Sequence, residues 1–107
     1  MSDYRFMRTV LFFDLPMVTK TDIREYTRFL KFIKRKGFVA FQESVYTKLS
    51  LNESVANAAL KEIKQQLPRD GLISVLTLSE KQFASIEHLL GEPKTDVLIN
   101  DEKVVTL

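Results

Sequence analysis

Asp14 closes the apolar run Val10-Leu11-Phe12-Phe13 and is followed directly by Leu15-Pro16. A run of this kind reads as a buried strand, and Pro16 ends it and opens a turn. A carboxylate there is costly in apolar surroundings unless it is paired or binds a cation. A rigid strand end also suits a metal ligand or catalytic group. Magnesium uses one or two carboxylates, keeps several waters and takes further oxygens from phosphate. Two copies of Asp14 brought together by a two-fold axis would suit a cation that polarises a phosphodiester or activates water. The plain alternative for Asp14 is a solvated acid in a turn.

Basic residues form the second chemical signal. Arg24, Arg28, Lys31 and Arg35 recur at spacings of four, three and four, with Lys20 just upstream. On a helix that spacing gathers them on one face, where they can track the phosphates of a duplex. An ordinary solvated helix face is the alternative. Between Lys20 and Lys36 seven bases stand against two acids, Asp22 and Glu25, although the whole chain carries only +2. From Glu80 onward six acids stand against three bases. The asymmetry points to a polyanion on one side of the molecule.

Other chemistries find little support. The chain has no cysteine, which removes disulfides, thiol nucleophiles and cysteine zinc sites together. His88 is the single histidine, so no serine-histidine-aspartate set recommends itself. Only three glycines are present, at 37, 71 and 91, and they form no phosphate-binding loop. No apolar run approaches the roughly 18 residues of a membrane span. Asp3, Arg5 and Arg8 interrupt any signal-peptide pattern. These features predict a soluble cytoplasmic protein with no membrane partner.

The elements that must position Asp14 and the bases follow from periodicity. Residues 5–14 alternate as a strand, with Met7, Thr9, Leu11 and Phe13 on one face and Arg8, Val10, Phe12 and Asp14 on the other. A helix follows over 22–36, capped by Thr21, burying Ile23, Tyr26, Phe29, Leu30 and Ile33 and stopped by Gly37. Strands are predicted at 38–41 and 44–49, joined through Gln42-Glu43 by a bulge or a tight turn. Asn52 caps a second helix over 53–66 that turns Val55, Ala59, Leu60 and Ile63 inward. A strand over 72–78 comes next, then a short helix over 80–90 capped by Ser79. Residues 92–107 form a C-terminal extension with apolar patches at Val97-Leu98-Ile99 and Val104-Val105.

The order strand, helix, strand, strand, helix, strand predicts one α+β domain over 1–107. It is the ferredoxin-like βαββαβ arrangement, with both main helices on one face of an antiparallel sheet. The other sheet face, bearing Val10 and Phe12, is too apolar for water, and a homodimer through it is the simplest cover. Leu11 to Pro16 and Lys36 to Phe41 loosely echo the two signature strands of an RNA-recognition motif. The second echo falls on the second strand, where that motif needs it on the third, so the match is accidental.

Several segments together resemble a known family: Phe13-Asp14-Leu15-Pro16, the basic helix up to Gly37, and Gln42-Glu43-Ser44-Val45-Tyr46. The chain looks like the small CRISPR-associated adaptation protein, the endoribonuclease-like partner of the CRISPR integrase. Leu76 to Phe83 and Ile99 to Val105 look like its type II branch. The resemblance implies a ferredoxin-like homodimer whose C-terminal segments, here 92–107, extend the partner's sheet. It maps the family's proposed magnesium ligand onto Asp14. It implies a spacer-acquisition scaffold that binds prespacer duplex DNA and bridges two integrase dimers. It also implies an alternative, metal-dependent cleavage of single-stranded RNA or double-stranded DNA. Lys20, Arg24, Arg28, Lys31 and Arg35 are the expected nucleic-acid contacts. A third reading is an RNA-binding or toxin-like ferredoxin-fold module outside CRISPR systems.

Overall fold

The structure, a computed structural model, describes residues 5–93. Four strands, β1 (Met7–Asp14), β2 (Val39–Gln42), β3 (Val45–Ser50) and β4 (Leu72–Ser79), form one antiparallel sheet in the order β2-β3-β1-β4. Helix α1 (Lys20–Arg35) joins β1 to β2, α2 (Glu53–Lys64) joins β3 to β4, and a five-residue α3 (Glu80–Ala84) follows β4. This is the predicted ferredoxin-like arrangement. Residues 94–107, which hold nearly all of the C-terminal segment expected to pair with a partner, lie outside the described residues.

Alternation along β1 divides the chemistry. Leu11 and Phe13 face the helices and join Phe29, Phe32 and Ile33 of α1, Ile63 of α2, and Ala40 and Tyr46 in the main core. The ring of Phe13 stacks on Tyr46 at 5.7 Å and meets Phe29 edge-on at 5.9 Å. Fully buried Leu11, Phe29 and Ile33 each contribute about 1.5–3 kcal/mol through lost apolar surface. Arg8, Val10, Phe12 and Asp14 face the opposite side, which among the described residues carries no large helix and receives only α3 and the turn after it.

Several local assignments differ from the sequence reading. Helix α1 begins two residues earlier, because Thr19 and not Thr21 is its cap. The Thr19 hydroxyl accepts from the Asp22 N–H at 3.0 Å, and the Asp22 carboxylate accepts from the Thr19 N–H at 3.0 Å. That reciprocal box satisfies two helix-end donors at once. The buried stripe of α1 is Phe29, Phe32 and Ile33, while Ile23 is exposed, since the sheet lies under the last two turns. Likewise Ala56 rather than Val55 turns inward on α2. The short helix stops at Ala84 instead of residue 90, since none of its residues is buried and a single turn has little stability alone.

The β2–β3 connection combines both expected options. The register shifts between Ala40 and Gln42, which makes Phe41 a bulge, and Ser44 turns the chain at φ 62°.

Candidate metal and nucleic-acid site

Asp14 is the last residue of β1, exposed, and opposite Leu72 of β4. Its backbone seat is tightly made. The Phe13 N–H donates to the Ser44 carbonyl at 3.1 Å, which continues the β1–β3 ladder beyond its last registered pair. On the other side Gly71 adopts φ 109°, and a Cβ there would sit 2.9 Å from the Asp14 carbonyl oxygen and 2.6 Å from Leu15 Cδ2. Only glycine fits that approach. The strand end is therefore fixed by β3 on one flank and by the turn into β4 on the other.

The Asp14 carboxylate makes no ion pair with another described residue. No group of three carboxylate or histidine donors comes together among the described residues. A solvated carboxylate with hard oxygen donors still fits magnesium as a single ligand, with water and phosphate oxygens supplying the rest of the shell.

The predicted bases separate into two sets. Lys20, Arg24, Lys31 and Arg35 are exposed along α1, joined by Lys34. Arg35 also leans over the Phe32 ring at 5.8 Å. Arg28 is used internally: it donates to the Gln66 carbonyl at 3.1 Å, to Gln66 Oε1 at 3.3 Å and to Glu25 at 3.3 Å. It thus satisfies a carbonyl just beyond the end of α2. Lys36 ties the same two helices together through Glu62 at 3.2 Å. The sequence alone could not separate Arg28 from its neighbours, because the spacing that defines the stripe also places Arg28 at the α2 edge.

Asp14 and the stripe do not share a surface. Asp14 lies on the sheet face of Val10 and Phe12, whereas α1 packs on the face of Leu11 and Phe13. Lys20, first residue of α1, is the stripe member closest along the chain to the Asp14 end. Beyond that end lies a cleft of about 170 Å³ lined by Pro16, Asp22, Tyr26 and Arg69 among others. Asp22 is already committed to the helix cap there. The Thr19 N–H above all holds its carboxyl below the ordinary value; desolvation, the next influence in size, opposes it, and the Val18 N–H, the Thr19 hydroxyl and Arg69 add lesser downward pulls.

Sequence reasoning missed Arg8. It donates to both carboxylate oxygens of Glu80 at 2.8 and 2.7 Å, and its guanidinium lies 4.6 Å from the Phe83 ring centre. The partners are more than 70 residues apart, and no local spacing announces the pair.

A family model described as CRISPR associated protein Cas2 matches residues 7–86. The chain belongs to the Cas2 family. Its relatives include the CRISPR-associated endoribonuclease Cas2 of Treponema denticola, 43% identical over 94% of this chain and 100% of the relative. That of Streptococcus mutans serotype c is 41% identical over 94% of this chain and 93% of the relative. The Cas2 of Campylobacter jejuni is 32% identical over the whole of this chain and 75% of its own length. The matched span of the Cas2 model takes in every element from β1 to α3, with Asp14 and the basic helix inside it.

Proposed function

We propose that this chain is a homodimeric scaffold of CRISPR spacer acquisition, which binds prespacer duplex DNA and bridges two integrase dimers. The observation that carries the reading is the separation of surfaces. An exposed row of cations, Lys20, Arg24, Lys31 and Arg35, lies on the helix side, and an apolar sheet face lies on the other. The first suits phosphates and the second suits a second copy of the chain. A protomer built this way can hold a duplex without any chemistry at Asp14. Cas2 membership supports the CRISPR setting.

The test is duplex binding and integrase recruitment by the full chain. Charge reversal at Arg24 and Lys31 should weaken duplex binding, lower its salt dependence and reduce capture of the integrase–prespacer complex. Unchanged affinity and salt slope in that variant would refute the residue assignment.

The second reading is a metal-dependent endonuclease, favoured by the exposed strand-end carboxylate of Asp14 and by the endoribonuclease name its relatives carry. Magnesium held by Asp14 would supply charge to polarise a phosphodiester. The protein's own part would be to hold the carboxylate at a fixed strand end between Ser44 and Gly71. Asp14→Asn that cleaves RNA or DNA as fast as the parent would remove this reading and leave the scaffold intact.

A further inference from the structure

The connection from β1 to α1, residues 15–19, is short and held at both ends. Pro16 fixes one of its backbone angles. At the helix end the Asp22 carboxylate accepts from the Val18 N–H at 3.2 Å and from the Thr19 N–H at 3.0 Å. The Thr19 hydroxyl accepts from the Asp22 N–H in return. These bonds fix the backbone of the turn and leave the side chains of Met17 and Val18 unused.

Val18 stands just before the helix cap and Ile23 four residues beyond it. An apolar pair at those two positions commonly closes over the start of a helix. Here it shelters neither residue: Val18 is 87% exposed and Ile23 46%, and Met17 beside them is 50% exposed. The Val18 side chain therefore adds little to the fold. Aliphatic groups held out in water on a fixed backbone form a preorganised contact, since no loop has to be ordered when they are covered.

Charge selects what covers them. Lys20 and Arg24, both exposed, follow directly and open the cationic row. The acids at this end of the molecule lie elsewhere. Asp22, Glu25 and Asp70 line the cleft beyond Asp14 together with Arg69, whereas Met17, Val18, Lys20 and Arg24 do not line it. Asp22 is also bound by the cap, and Glu25 by Arg28. The turn thus joins two aliphatic side chains to two cations. A groove with apolar sugar walls between two rims of phosphate complements that pairing. Aliphatic wedges flanked by bases are a recurrent means of contacting the minor groove.

We propose that the Met17–Val18 tip is a minor-groove contact: it enters the groove of the bound duplex as an uncharged wedge, with Lys20 and Arg24 on the adjoining phosphates. The inference rests on the duplex-binding reading above and adds a contact that carries no charge. Aliphatic side chains neither donate nor accept hydrogen bonds, so the tip reads no base code. It favours steps where the groove opens at low cost, such as the flexible pyrimidine–purine steps.

Fluorescence anisotropy of the full chain with a labelled duplex holding a central A·T tract, titrated over salt, tests this. Met17→Ala/Val18→Ala should weaken binding about tenfold at every salt concentration and leave the slope of log affinity against log salt unchanged. Lys20→Ala should lower that slope by about 0.9. Leu67→Ala, an exposed apolar residue on the far side of the cleft, should bind like the parent. Netropsin, which fills the minor groove, should displace the parent more readily than the double variant. Methyl green, a cationic ligand of the major groove, should affect both alike. A double variant that binds like the parent overturns the wedge and leaves the cationic row standing. Loss of integrase capture alone also overturns it, and assigns the tip to a protein partner. Equal sensitivity to netropsin overturns the minor-groove placement, and so does a loss of affinity that tracks a lower melting temperature. A parent chain that binds no duplex overturns the duplex reading itself, and the inference with it.

Discussion

Lys48 Nζ donates to the backbone carbonyl of Lys36 at 2.8 Å, joining β3 to the C-terminal end of α1. One cation thereby satisfies a carbonyl at the negative end of the helix. The same ammonium fills the space beside Gly37, where a Cβ would lie 2.8 Å from it. Lys48→Met should lower stability by about 1 kcal/mol in urea unfolding. Gly37→Ala should cost about 1–3 kcal/mol, because at φ 100° a side chain is strained whatever Lys48 does. Combining the two should relieve the crowding but not the backbone strain, so the double variant should be less than additive.

Arg28 and Lys31 should respond differently to the same substitution, although both belong to the basic row. Lys31→Ala should leave unfolding within about 0.5 kcal/mol of the parent and reduce the slope of log affinity against log salt by about 0.9 for duplex DNA. Arg28→Ala should instead destabilise the fold by about 1 kcal/mol, since it releases the Gln66 carbonyl and Glu25. Paired denaturation and salt-titrated binding measurements on the two variants separate these outcomes.

Asp22 makes stability depend on acid pH. The Thr19 N–H stabilises its charged form, so its carboxyl titrates lower in the folded chain than in the unfolded one. The contribution is fully present above the unfolded value and disappears as pH falls through the folded value. The gap in melting temperature between the parent and Asp22→Ala should therefore be widest near neutrality. It should narrow as pH falls below the ordinary carboxylate range, which thermal scans across that range would show.

Ser44 occupies the left-handed region at φ 62°, an unusual place for a side chain. Ser44→Gly should be tolerated or mildly stabilising, since glycine accepts the conformation freely. Ser44→Val should cost about 1–3 kcal/mol and should speed hydrogen exchange at the Phe13 amide, which depends on the Ser44 carbonyl. Amide exchange followed residue by residue distinguishes loss at this one bond from general loosening of the sheet.

The parts legible in the sequence were those carried by short-range pattern. Alternation in β1 placed Asp14 and Phe12 on one face and Phe13 on the other, and the ladder with β4 follows that division. Asn52 and Ser79 were readable as caps because their side chains act within three residues. Thr19 was passed over for Thr21, since either threonine could precede the helix and only the reciprocal bond with Asp22 decides. The roles of Arg28 and Arg8 depend on Gln66 and Glu80, partners that only the fold brings near. Ile23 fits the helical period but lies beyond the reach of the sheet, which periodicity cannot measure.

The close approach at Gly71 makes the seat of Asp14 vulnerable to added mass as well as to loss of the acid. One methyl at position 71 would press on the Asp14 carbonyl and on Leu15 without touching any charge, base or metal donor. A screen for lost Asp14 function would then return, beside losses of the acid, a hydrocarbon substitution in a turn whose carboxylate is intact. Such a result would locate the defect in the angle at which β1 delivers its last residue.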